Sequence, residues 1–367
     1  MRDQRAAALA RVLVHHSAGV NAGDVCVIEA ESPAEPLAQE LYEEVLRAGG
    51  LPTVDLVMEG QSAAFFKLAS DEQLDWVSPT ARWGAEESDV RFRILADANT
   101  RALSGVDPAR QTRRQRAVKP IMETIMKRSA AGEFRWALTL FPTQAYASEA
   151  DMSLADYEDF FYRACLCDHD DPVAAWKQQS EKVDQLAEWI TGKEEIRIEA
   201  PGTDLTLNIS GRKFIPANGR HNMPDGEFFT GPVEDSANGE VTFTYPAIYG
   251  GREVTGVKFR FEDGVVRDAS AERNEDYLLE MLDTDEGARR LGELGIGTNY
   301  GIDRFTKEIL LDEKIGGTIH LAIGMSYPET GGVNDSAVHW DMVCDLRKQG
   351  RITVDGEAMQ VDGKFVV

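Results

Sequence analysis

The sequence predicts an α/β N-terminal domain with an open, mostly parallel sheet, followed by an α+β C-terminal domain with an antiparallel sheet. Its 367 residues are long for one core, so two domains are expected. Near the N-terminus strand, helix and strand succeed one another within about thirty residues, the signature of a βαβ unit. From Glu194 onward the texture changes to short alternating strands joined by tight turns. The boundary is therefore expected near residue 193, giving domains 1–193 and 194–367.

Residues 7–18 place Ala7, Leu9, Val12 and Leu13 at helical spacing, and Asn21-Ala22-Gly23-Asp24 breaks the pattern. Val25-Cys26-Val27-Ile28 then reads as a short buried strand. Ser32-Pro33 opens a helix with Leu37, Leu41, Val45 and Leu46 on one face, closed by Gly49-Gly50. Residues 53–57, 92–95 and 136–140 are further strands. The arginine-rich stretch 110–129 reads as a solvated helix whose charges pair with nearby acids. Ser153 begins a helix carrying Tyr157, Phe160 and Phe161, at a spacing that suits a core. Asp171-Pro172 caps another, which runs to Gly192. In the second domain Pro201-Gly202-Thr203-Asp204 signals a hairpin between residues 196–198 and 205–209. Strands at 241–245 and 257–261, the turn Glu262-Asp263-Gly264 and a helix opened by Asn274 follow.

The 63 acidic residues against 39 basic ones give a net charge of −24, which repels nucleic acid and anionic lipid. That surface is read either as adaptation to high salt or as an acidic mesophilic enzyme. No apolar run is long enough for a membrane helix, and the N-terminus lacks the apolar core of a signal peptide, so a cytoplasmic location is expected. The four cysteines are too few and too irregular for a disulfide scaffold; Cys165 and Cys167 are expected in a core. The turn after the first strand, Glu29-Ala30-Glu31-Ser32-Pro33, has no glycine and two acids, so it does not cradle phosphate.

Chemistry concentrates in residues 291–347. His339-Trp340-Asp341 has period-two spacing, which on a strand aims imidazole and carboxylate at one point and turns Trp340 away. His320 lies on a neighbouring strand pattern, and Glu293 sits among Gly292, Gly295 and Gly297. Glu227, after the turn Pro224-Asp225-Gly226, is a plausible upstream partner. Imidazole and carboxylate donors without thiolate suit zinc, cobalt, manganese or ferrous iron.

Asn222-Met223-Pro224-Asp225-Gly226-Glu227, the run from Gly292 to Asn299, Asp312-Glu313-Lys314, Gly317-Thr318-Ile319-His320 and His339-Trp340-Asp341 together resemble the aminopeptidase T/aminopeptidase S family. The resemblance extends nearly end to end. It implies metalloaminopeptidase activity on small peptides, a homodimer, and two divalent ions (zinc, cobalt, manganese or magnesium). It also implies Glu227, Glu293, His320, His339 and Asp341 as the metal ligands, Glu293 as a catalytic carboxylate and Tyr327 as the active-site tyrosine. One departure is the loop between Gly324 and Val338, shorter than the family leads one to expect, which bears on substrate choice. The scaffold is also similar to that of the 2,5-dihydroxypyridine dioxygenases, in which one ferrous ion would need only His320, His339 and Asp341.

Overall fold

The computed structural model describes residues 3–367 and divides the chain into two compact units. One comprises residues up to Lys177 together with Gly219–Pro224; the other comprises Gln178–Asn218 and Asp225–Val367. The two parts have the sheet types expected from the sequence.

The first unit is built on a five-stranded parallel sheet in the order Leu51–Val57, Val25–Glu31, Val90–Leu95, Arg135–Leu140, Asn222–Met223. Val25–Glu31 alternates rather than being buried throughout: Cys26, Ile28 and Ala30 are inside and their neighbours are half-exposed. The helix Glu35–Arg47 buries Leu37, Leu41 and Val45 as expected, but Leu46 falls outside the apolar stripe and is exposed. Tyr157, Phe160 and Phe161 are core, and all four cysteines are buried and free.

The arginine-rich helix Pro108–Ala130 is solvated as expected, burying only Ile125, but its charges pair with acids only in part. Arg113 does pair with acids, at 2.6 Å from both Asp71 and Asp75. Three other arginines donate to backbone carbonyls at the C-terminal ends of three short helices. Arg110 reaches Phe66 O at 2.9 Å beside helix Gln61–Leu68, and Arg114 reaches Trp76 O at 2.6 Å after Asp71–Asp75. Arg128 reaches Ala85 O and Ser88 O at 2.9 and 2.8 Å, at the end of Pro79–Glu87. A helix C-terminus carries unpaired carbonyls and partial negative charge, so carbonyls compete with acids for guanidinium.

The second unit holds an eight-stranded sheet, a two-stranded ribbon and a five-stranded antiparallel sheet. The last runs His339–Asp345, Thr318–Gly324, Leu291–Gly297, Glu227–Thr230, Ile215–Ala217. Phe228, Leu294, Ile296, Ile319, Leu321, Ile323, Trp340 and Met342 belong to one apolar cluster with Ile196, Leu205, Phe259 and Ile352 of the eight-stranded sheet. Alternation then assigns the opposite face to Glu227, Glu293, His320, His339 and Asp341. Trp340 is 1% exposed and stacks on Tyr249, on the core side as the sequence implied.

Register decides which side chains meet on that polar face. Glu293 pairs with Ala322 and Ala322 with Asp341, so the two carboxylates lie in one row across a small residue. His320 is opposite Gly295, and His339 is opposite Gly324. A Cβ on Gly295 would stand 1.9 Å from Cε1 of His320, so only glycine leaves room for the ring. Gly295→Ala is expected to cost about 1–3 kcal/mol through overpacking, read as a lower urea midpoint with an unchanged slope; a wild-type midpoint would show that the ring relocates freely.

Candidate metal centre

The polar face brings all five sequence-predicted ligands into one buried cluster. Glu227 and Glu293 are each 5% exposed and His320 is 1% exposed. Glu293 divides its carboxylate between the two histidines. Its Oε1 is 3.3 Å from His320 Nε2 and its Oε2 is 3.3 Å from His339 Nε2. Asp341 Oδ1 stands 4.0 and 3.6 Å from the same two nitrogens.

Both rings are oriented from behind by the backbone. His320 Nδ1 lies 3.3 Å from Glu313 O and His339 Nδ1 lies 2.8 Å from Met325 O. With the proton on Nδ1 each ring donates to a carbonyl and turns the Nε2 lone pair toward Glu293 and Asp341, the arrangement metal-binding histidines adopt.

Two groups of donor atoms lie mutually within 4.8 Å: Glu293, His339 and Asp341, and Glu313, His320 and Asp341. They share Asp341. Glu313 was not singled out as a ligand from sequence, although it stands in Asp312-Glu313-Lys314, seven residues before His320. The remaining predicted ligand, Glu227, is on the other side of His320. Its Oε2 is 3.5 Å from Nδ1 of that ring and its Oε1 is 3.5 Å from the fully buried Lys314 Nζ, which also pairs with Glu313. Tyr327 is half-buried and packs edge-on between His339 at 5.1 Å and Phe229 at 5.6 Å.

Burial sets the electrostatics. It pushes the Glu227 carboxyl up to about 8 against the pull of Lys314, and Asp341 up to about 6 against the imidazoles. Burial acts the same way on Glu293, but its bonds to both histidines prevail and bring it down to about 2. Burial alone would lower the histidines; the surrounding carboxylates instead lift His320 to about 10 and His339 to about 9. Burial, followed by the charges on Glu293 and Asp341, raises the Tyr327 phenol, so it stays protonated and can donate.

These residues fit divalent metal. Glu227 Oε2 and Asp341 Oδ1 are buried and accept no hydrogen bond, a costly state for carboxylate oxygens unless a cation satisfies them. Carboxylate and imidazole are the donor types present, and the cysteine on the sheet's last strand, Cys344, faces the core. Adding zinc or manganese after chelation should raise the unfolding temperature, by about 2.7 kcal/mol of stability when the ion is at 100 times its Kd. Equal unfolding temperatures with and without ions would remove metal from the site.

The family of thermophilic metalloproteases (M29) matches residues 2–365. The chain is 31% identical over 314 residues to Aminopeptidase 2 of Geobacillus stearothermophilus, covering 74% of each protein. It is 27% identical over 403 residues to Aminopeptidase T of Thermus thermophilus, covering 97% of this chain and 94% of that one. The solved structure of wild-type AmpT from Thermus thermophilus superposes with a TM-score of 0.84 at 24% identity, over 99% of both chains. A 2,5-dihydroxypyridine dioxygenase from Pseudomonas putida superposes with a TM-score of 0.60 at 14% identity, over 100% of this chain and 98% of that one, a likeness of fold. With a family match spanning almost every residue and a cluster of carboxylates and imidazoles on its polar face, the chain belongs to the M29 thermophilic metalloproteases.

Proposed function

We propose that the protein is a metal-dependent aminopeptidase that releases the N-terminal residue of small peptides at two divalent ions. Glu227, Glu293, His320, His339 and Asp341 hold the ions in this reading, and Glu313 adds a sixth donor. The family and the aminopeptidase names of the relatives support the reaction class. The observation that carries the pair of ions is the division of Glu293, one oxygen toward each imidazole at 3.3 Å. A carboxylate so placed would help to hold an ion beside each histidine.

Charge supports the same count. Asp225, Glu227 and Glu313 act on one ammonium, Lys314, while Glu293 and Asp341 face the imidazoles; with all five carboxylates ionised and the imidazoles neutral, four negative charges would remain. Two divalent cations carry that charge. A single ion on His320, His339 and Asp341, as in the ring-cleaving alternative, would take both imidazole Nε2 atoms from Glu293 and leave the buried Glu227 to Lys314.

Divalent ions of this kind supply Lewis acidity and bring the pKa of water toward neutrality. The protein supplies the rest. Glu293, held below the usual carboxylate range by the two imidazoles, orients the attacking water and the two histidines together. Tyr327 keeps its phenolic proton and donates a hydrogen bond to the oxyanion that develops on the scissile carbonyl. The carbonyls of Glu313 and Met325 fix the ring tautomers, so neither histidine needs to reorganise during turnover.

Metal analysis of the purified protein, combined with a panel of aminoacyl-p-nitroanilides, tests this reading. Two ions per chain with turnover is the expected result; one iron without turnover would favour the dioxygenase. Glu293→Ala and His339→Ala should each abolish metal-dependent release of amino acids, and full activity in either would overturn the assignment. Tyr327→Phe should lower kcat by roughly 100- to 1000-fold, the scale of losing one oxyanion donor, with KM little changed.

A further inference from the structure

The loop of residues 325–338 carries Tyr327 and supplies the carbonyl that orients His339, yet it contains only one turn of helix, Pro328–Thr330. Short loops rich in glycine are mobile unless something ties them down. Here the tie comes from two residues flanking the strands Ile215–Ala217 and Glu227–Thr230 of the same sheet. The Arg212 side chain is 10% exposed and that of Glu234 is 20% exposed, and they pair at 2.5 Å. Each also grips the loop. Arg212 donates to the carbonyl of Gly331, and Glu234 Oε1 accepts from the backbone N–H of Val333 at 2.7 Å. Next to Arg212, Lys213 N donates to Thr330 O at 2.9 Å.

Thr330 passes this grip to the tyrosine. It is 1% exposed, and its hydroxyl donates to Tyr327 O at 2.6 Å while accepting from Gly332 N at 3.2 Å. Its own N–H reaches Tyr327 O at 3.1 Å. The carbonyl of Tyr327 is thus held twice by the residue that Lys213 holds. At the far end Asp285 accepts from Ser336 Oγ and Ala337 N, both at 2.8 Å, which closes the loop onto the strand of His339.

We propose that Arg212 and Glu234 are positioning residues for catalysis: their pair splints the 325–338 loop and so fixes Tyr327 against His339. The proposal rests on the catalytic reading of Tyr327 given above. Neither residue touches the reacting atoms. Their effect passes through the backbone of Thr330 and Tyr327, and misplacing a reacting group by about 1 Å costs on the order of 100-fold in rate.

A double-mutant cycle with Tyr327→Phe separates positioning from general destabilisation. Glu234→Ala should lower kcat by about 10- to 100-fold and leave KM within about twofold, while in the Tyr327→Phe background it should cost less than about twofold. Glu234→Gln keeps an acceptor for Val333 N–H and should retain more activity than Glu234→Ala; Arg212→Lys, which cannot serve both Gly331 and Glu234 with one fork, should resemble Glu234→Ala. Amide hydrogen exchange gives a readout independent of turnover: Val333 and Gly332 should exchange faster in Glu234→Ala, with the strand amides of residues 318–324 unchanged. Equal losses from Glu234→Ala in the two backgrounds, or unaltered exchange in the loop, would overturn the splint. A fully active Tyr327→Phe enzyme would instead overturn the role of the tyrosine, and the proposal with it.

Discussion

The organisation of the second unit depends on one carboxylate facing two imidazoles. Glu293 can offer an oxygen to each of His320 and His339 only because three antiparallel strands are held in one register, with nothing larger than Ala322 between the acids. A slip of one residue would carry the whole set to the opposite face, among Leu294, Leu321 and Trp340. The apolar cluster beneath the sheet therefore does more than stabilise the unit. It fixes which residues face the site, and the small residues above it determine how close they come.

Much of this was legible in the sequence, for reasons that differ by residue. His339 and Asp341 share a face because side chains alternate along a strand, a rule independent of context. The parallel and antiparallel halves followed from the βαβ pattern and from the hairpin at Gly202. Glu313 was not legible as a donor, because it lies outside the strands, and only the close approach of Asn299 and Ile315 returns that segment to the sheet. The carbonyls that orient the histidines carry no side-chain signal at all. The arginines of Pro108–Ala130 were legible in part for a related reason: charge pairing, as Arg113 shows, can be guessed from composition, whereas helix ends that attract guanidinium exist only once the chain is folded.

Concentrating acids in a buried region is destabilising unless cations accompany them. Lys314 is a permanent cation of the fold, 0% exposed between Glu227 and Glu313. In the absence of metal the histidines serve as proton-bearing cations, which explains why both are lifted well above their usual range. The site can thus hold together in two charge states. Metal that binds here competes with those protons.

The arginine helix of the first unit has an analogous effect on a larger scale. Helix Gln61–Leu68 buries none of its side chains, and Pro108–Ala130 buries only Ile125, in a small apolar cluster with Ala85 and Phe134. Besides the Arg113 pairs with Asp71 and Asp75 and that small cluster, what joins them to the two other short helices is the series of guanidinium bonds from Arg110, Arg114 and Arg128. Polar ties of this kind are lost together when the long helix detaches, since one backbone carries all three donors. The four helices are therefore expected to open together, at a lower free energy than the parallel sheet, in which Val90–Leu95 stays paired.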